Sequence, residues 1–471
     1  MSSAATAATQ NPTERSVITT GRGMDQRTRA LLDAPLLPLL LRLAVPNILL
    51  MLAQSATGLI ETYFIGKLGT DALAGAAVVF PGVMLMQMIS AGSMGGGISS
   101  SVARALGSGR REDASLLVWH AIVINGSLGL ICSAGMLSFG PSIYRAMGAE
   151  GPSLQAALAY SNVIYAGAAL LWIMNALASV LRGTGNMLVP GGVICGGALL
   201  LIPLSPCLIF GVGPFPRFGV AGGAVALLIY YTLGIVLLAA FLCSGRAIMR
   251  PAWPLRFSKQ LFGAVLRVGA PASTTSIQTN LTITLTTAIV GVFGPAALAG
   301  FATGSRLEYL MVPISFGVGG PLVAIVGTNI GAGQRARALK AAWLGGALGF
   351  FLTESVGLTA AIHPLAWLSL FGHDPDMLSV GAHYLHIVGP FYGMFGLGLV
   401  LYFASQGAGR LTWPIVAQFC RLVLAGGAGN LAIWMGGGLD SVFWIIGLAL
   451  GSFGAVVALS ILWGGWGAER G

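Results

Sequence analysis

Twelve long stretches of this chain run almost without a charged side chain, separated by short polar turns. They cover residues 37–65, 71–103, 114–139, 153–181, 187–210, 219–243, 262–291, 296–330, 341–362, 377–405, 412–436 and 440–465. No other feature restricts the fold as strongly. A helix of about 20 apolar residues crosses the hydrocarbon core of a bilayer, and the longer stretches here must tilt, bend or project beyond it. Lys and Arg number 24 and Asp and Glu 14 in 471 residues, 8% in all, against roughly 25% in a soluble domain. This excludes a soluble enzyme and a disordered chain. The net charge of +10 does not signal nucleic acid, because the basic residues are scattered and form no stripe. The expected fold is an all-α integral membrane protein of twelve transmembrane helices.

The turns alternate in charge. One set carries Arg104, Arg110, Arg111, Arg182, the basic cluster from Arg246 to Lys259, the cluster Arg335/Arg337/Lys340, and Arg410. With the leader, Arg470 and the helix-end residues Arg42, Arg267 and Arg421, this side holds 20 basic residues, and the other holds only Lys67, Arg145, Arg217 and Arg306. Basic loops stay in the cytoplasm, so both termini are expected there, in a multi-pass protein of the cell (inner or plasma) membrane. Residues 1–35 lack the apolar core of a cleavable signal peptide and read as a disordered cytoplasmic tail.

The chain also matches itself at an offset of 224 or 225 residues. LLRLAVP (40–46) aligns with VLRVGAP (265–271), LGTDALAG (68–75) with FGPAALAG (293–300), ALGSGRREDA (105–114) with NIGAGQRARA (329–338), and RGTGNMLVP (182–190) with QGAGRLTWP (406–414). Six spans per half make the repeats parallel, related by an axis along the membrane normal. The expected organisation is a first lobe over 36–243, a cytoplasmic linker over 244–261, a second lobe over 262–466 and a cytoplasmic end at 467–471, with a cleft between the lobes.

Three acids fall inside spans: Glu61, Glu308 and Glu354. A carboxyl group in hydrocarbon is costly unless neutral or paired, which makes each a functional candidate. Asn47, Gln54, Thr57 and Glu61 share one helix face, and such a polar stripe suits a cavity wall. The plainer alternative is a glutamate near a span end that reaches water. The seventh span carries an uncharged counterpart, Thr275, Thr279, Thr282 and Thr286 with Gln278 beside them, and Thr286 aligns with Glu61. Helix packing through hydroxyls explains it equally well. In the fourth span Tyr165, Trp172 and Asn175 lie near one face with Ser179 and Arg182; they could line a site for flat cations or simply pack. Glu308 and Arg306 are two residues apart and do not share a helix face, so Glu308 is expected to meet a partner on another helix, as a coupling group or as a hydrogen-bond anchor. Glu354 reads as structural. His383 and His386, at i and i+3 with His363, His373, Asp374 and Asp376 nearby, invite a metal reading, but they lie at an outer loop and helix end where polar residues are expected, and the five lone cysteines have no metal-site spacing. No metal or cofactor is expected.

The pattern P-x(14)-E-T-x-x-I-G-x-L-G from Pro46 to Gly69, LRGTGN (181–186) and SRLEYLMVPISFGVGGPLVAIVGTNIGAG (305–333) together resemble the multidrug and toxic compound extrusion (MATE) transporters, closest to their DinF-like branch. The resemblance covers about residues 36–465 and implies a V-shaped pair of six-helix lobes. It implies export of amphipathic, often cationic compounds against H⁺ or Na⁺, by alternating access. It implies coupling roles for Glu61 and Glu308, a bend at Pro46, a polar cavity, and a monomer with no partner beyond organic substrate and lipid. Two departures stand out. Ser205-Pro206 replaces an Asp-Pro of DinF-like relatives, with Leu201 one turn earlier, and Thr279 stands where another branch has an acid. A single carboxylate fits a proton better than Na⁺, which needs several oxygen ligands, although nearby Thr and Asn oxygens leave Na⁺ open. The rivals are a lipid-precursor flippase of the same superfamily, against which twelve spans and an acidic Glu61 argue, and an integral-membrane enzyme, against which the short basic loops argue.

Overall fold

The computed structural model describes residues 25–464 and 466, except the side chains of residues 50 and 53–60. All regular structure among the described residues is helical. Twelve rods follow one another: α1 (Leu36–Gly66), α2 (Thr70–Gly107), α3 (Arg111–Ala146), α4 (Gly151–Ala166 and Ala168–Gly183), α5 (Leu188–Phe210), α6 (Val220–Cys243), α7 (Lys259–Gly291), α8 (Pro295–Gly331), α9 (Arg335–Ile362), α10 (Pro375–Ala408), α11 (Thr412–Trp434) and α12 (Leu439–Leu462). Nine described helices are long and apolar enough to cross a membrane, or ten when the two pieces of α4, bent by 47°, count as one. The chain is a multi-pass membrane protein.

Most rods end within a few residues of the expected positions, because turn chemistry marks the ends. Gly69, Gly211 and Gly294 close or open rods at positive φ, a conformation that costs a residue with a side chain 1 kcal/mol or so. The rods run further than hydropathy indicates at Arg335, where polar residues extend α9, and at Ala146, where α3 continues past Pro141. The repeat extends to one irregularity. α4 breaks at Gly167 and α10 at Gly389–Phe391, equivalent positions of the two halves.

One apolar core lies in each half. The halves exchange ends: Leu40 and Ala44 of α1 join the second core, and Val265 of α7 joins the first. The contacts between halves are reciprocal. Ser93 Oγ of α2 donates to the Ala272 carbonyl of α7 at 2.9 Å, and at the equivalent positions a Cβ on Gly317 of α8 would lie 2.7 Å from Ile48 Cα of α1. A Cβ on Gly107 would fall 2.0 Å from the Thr328 carbonyl oxygen, and one on Gly331 would fall 2.3 Å from the Arg104 carbonyl oxygen. Positions 104 and 328 are equivalent, as are 107 and 331, so the two halves meet as the partners of a two-fold dimer would. Glycine is required at both places for backbone to touch backbone.

The leader corrects one expectation. Residues 1–24 lie outside the described residues, as do 467–471, but Gln26–Asp33 forms a helix rather than disordered chain. Asp25 caps it by accepting from Arg27 N at 2.9 Å, which satisfies a donor the first turn leaves free. Leu31 and Leu32 are buried, and Asn329 Nδ2 donates to the Leu31 carbonyl at 3.1 Å. The connector after α6 is tied down as well: Trp119 Nε1 donates to Ala252 O, and Ser258 N donates to His120 Nε2, each at 3.0 Å.

Candidate functional site

Each half holds a carboxylate that accepts a hydrogen bond from a buried tyrosine. In the first half, Tyr160 Oη of α4 donates to Glu61 Oε1 of α1 at 2.9 Å. Glu61 is 9% exposed. Gly223 of α6 makes the room, since a Cβ there would sit 2.9 Å from Glu61 Oε1. In the second half, Tyr384 Oη of α10 donates to Glu308 Oε1 of α8 at 2.7 Å. Tyr160 and Tyr384 are separated by the repeat offset and so occupy equivalent positions. The carboxylates are not equivalent: Glu61 belongs to the first rod of its half and Glu308 to the second rod of its own.

Glu308 has a second neighbour that sequence reasoning placed elsewhere. Arg421, read above as a helix-end residue facing the cytoplasm, is buried in α11 with Nη2 3.9 Å from Glu308 Oε2. Its guanidinium lies 5.1 Å from the centre of the Phe395 ring. Directly after it α11 widens into a π-helical turn, Val423–Ala428, a distortion that often accompanies functional sites and that shifts the register of the helix there.

A cavity of about 270 Å³ opens beside this pair. Thr279, Thr282 and Thr286 of the seventh-span stripe line one wall, Arg306 and Glu308 another, and Arg421 a third. The three threonine hydroxyls donate to the backbone carbonyls of Thr275, Gln278 and Thr282 at 2.8, 2.8 and 2.9 Å. Their oxygen lone pairs are left as acceptors, and Thr279 Oγ1 already accepts from Gln418 Nε2 at 2.9 Å. Gln278 is not among the lining residues.

The other proposed lining residues lie apart from this cavity. Asn47 is buried and donates to the Gly317 carbonyl at 3.1 Å. Pro321 has no N–H, so the carbonyl four residues back has no intrahelical donor; Asn47 fills that gap across the halves. Tyr165, Trp172 and Asn175 are packed in the first core, with Asn175 Nδ2 donating to Ser90 Oγ at 2.8 Å. All four are buried in this conformation. The side chains of Gln54 and Thr57 lie outside the described residues. Pro46 sits inside α1, which is helical on both sides of it. Ser205 is buried on α5, which packs along α1. Glu354 accepts from Gly393 N at 2.6 Å where α10 restarts, an anchor for the broken helix. His383 Nε2 and Asp440 Oδ1 are 2.7 Å apart, and no metal-sized cluster of ligands is present among the described residues.

Two repeated six-rod bundles with buried polar groups between them define a polytopic membrane transporter. The sequence signature of the MatE family matches residues 46–207 and 271–427, and the chain belongs to that family. It is 29% identical to a protein of Shewanella oneidensis named an FAD transporter, over 84% of this chain and 87% of that one. It is 26% identical to a Thermotoga maritima protein named a probable multidrug resistance protein NorM, over 81% and 82%. Its fold matches that of a MOP superfamily transporter from Pyrococcus furiosus with a TM-score of 0.85 at 22% identity, covering 94% of this chain and 97% of the other. Family members are transporters, so the integral-membrane enzyme drops out.

Proposed function

We propose that this chain exports amphipathic organic compounds, cations among them, in exchange for H⁺, from the cytoplasm across the cell membrane. The carrying observation is Glu61, buried in α1 and bonded to Tyr160. A buried carboxyl that exchanges a proton between two sides of a membrane can drive transport, provided the proton and the substrate compete for it. The Tyr160 hydroxyl donates to the carboxylate and is its one hydrogen-bonded side-chain partner among the described residues, so few oxygens gather at Glu61. Na⁺ wants several oxygens, and this favours the proton.

The two bundles, 36–243 and 262–466 joined through 244–261, rock about their reciprocal contact. Both termini face the cytoplasm and the chain works as a monomer. Pro46 leaves the Arg42 carbonyl without its helix donor, which makes α1 easiest to bend there and would carry Glu61 with it. Glu308 serves as the second charged group of the cycle. A relative named an FAD transporter widens the substrate class to aromatic phosphates.

The test is efflux of a fluorescent organic cation from vesicles containing the full chain, under an imposed pH or Na⁺ gradient. Wild type is expected to respond to the pH gradient alone, and Glu61→Gln to lose that response at least about tenfold, near 1.4 kcal/mol. A variant that keeps its coupled efflux removes Glu61 from the mechanism.

A further inference from the structure

The cavity in the second half carries an inference that goes beyond the Glu61 reading and stands without it. Arg421 lines this cavity, its side chain is only 7% exposed, and among the described residues none accepts a hydrogen bond from it. Its nearest counter-charge is Glu308 Oε2 at 3.9 Å. A charge-assisted N–H···O bond is about 2.7–2.9 Å long, so this pair attracts without bonding. A guanidinium carries five donors in a planar fork. Here none of them is in a hydrogen bond to a described residue, on a side chain that is only 7% exposed.

The other walls suit a ligand with two ends. Arg306 adds a second cation at the rim, exposed and with its guanidinium 5.1 Å from the centre of the Phe371 ring. Phe395, Ile446 and Leu450 form an apolar floor. The threonine lone pairs opposite accept from any N–H or O–H on the ligand body. At about 270 Å³ the space lies just below the roughly 300–1,000 Å³ of small-molecule sites, enough for an anionic head and a ring or two.

We propose that the cavity between α7, α8, α10, α11 and α12 binds an organic anion, a phosphate or carboxylate on an aromatic body, with Arg421 as the fork that receives it. Glu308 is the resident counter-ion that the anion displaces. The Tyr384 bond holds Glu308 in place when the cavity holds no anion, and keeps it paired when the anion takes over Arg421.

The experiment is calorimetric binding of 1-naphthyl phosphate to the full chain in phosphatidylcholine nanodiscs, beside 1-naphthol and 1-naphthylmethylammonium. The phosphate is expected to bind at least about tenfold more tightly than either. Arg421→Gln should cost at least about tenfold, with Arg421→Lys between the two because an ammonium lacks the fork. Glu308→Gln should tighten binding several-fold by removing the competitor, and it keeps the test alive if the Arg421 variants do not fold. Equal affinity for phosphate and naphthol, or an unchanged dissociation constant in Glu308→Gln, overturns the proposal. Phosphatidylglycerol in the disc separates two sources of the anion: competition with the probe assigns the site to a lipid headgroup, and indifference assigns it to a free solute. Glu61→Gln should bind the probe as wild type does, so a failure of proton coupling and a failure of this site are told apart.

Discussion

Tyr160 and Tyr384 hold the same place in the two halves, yet they serve acids on different rods. Each half places its carboxyl group where the equivalent hydroxyl reaches it. Tyr160→Phe keeps the ring and removes the donor, leaving Glu61 buried with one bond fewer. A hydrogen bond to a charged group is worth about 1.5–3 kcal/mol. A lower thermal midpoint of the purified protein is expected, while Tyr63→Phe, on an exposed ring, should leave it unchanged. Equal midpoints would show that the Tyr160 bond contributes nothing. Glu61, Glu308 and Glu354 could be picked out from the sequence because an acid in a long apolar run is expensive wherever it points. Their partners could not. A tyrosine in an apolar helix reads as packing, and Arg421 reads as a helix end because nothing near it in sequence is acidic. The repeat offset between Tyr160 and Tyr384 was the one available signal.

At the level of elements, the contact between the halves depends on what is missing. Gly107 and Gly331 lack the Cβ that would strike the opposing backbone, and Pro321 lacks the N–H that would have claimed the Gly317 carbonyl, so Asn47 claims it instead. Arg104 adds a bond from Nη1 to the Gly407 carbonyl at 3.0 Å. Gly107→Ala drives a methyl group into the Thr328 carbonyl, and the rods must separate there. Ser101, buried beside α7 where its Oγ donates to the Ala264 carbonyl at 3.0 Å, reports on this. A water-soluble maleimide is expected to label Ser101→Cys several-fold faster when Gly107→Ala is added, and an unchanged rate would show that the contact does not depend on that glycine. Paired Gly and Pro landmarks made the repeat visible in sequence. That Asn47 faces a neighbouring helix rather than open space was not visible, since a polar stripe looks the same whether it meets a cavity or a carbonyl.

For the molecule as a whole, charge distribution is the strongest statement about orientation. Moving Arg421 into the interior leaves 19 basic residues on one side against 4 on the other, so the expectation of cytoplasmic termini loses little. Alkaline phosphatase fused after Arg145 or Arg217 is expected to be active outside the cytoplasm, and after Arg110 or Arg335 to be inactive. The reverse pattern would invert the proposed direction of transport. The sequence alone determined the membrane class, the rods and their order, the duplication and the identity of the buried acids. These follow from transfer free energies and spacings summed over consecutive residues, which are local quantities. The tertiary structure decided which tyrosine bonds which acid, that Arg421 faces a cavity, and that Thr279, Thr282 and Thr286 line it while Asn47 meets the Gly317 carbonyl. Those outcomes rest on contacts between residues far apart in the chain, such as Asn47 and Gly317, 270 positions apart. No local periodicity encodes the partner across such a separation.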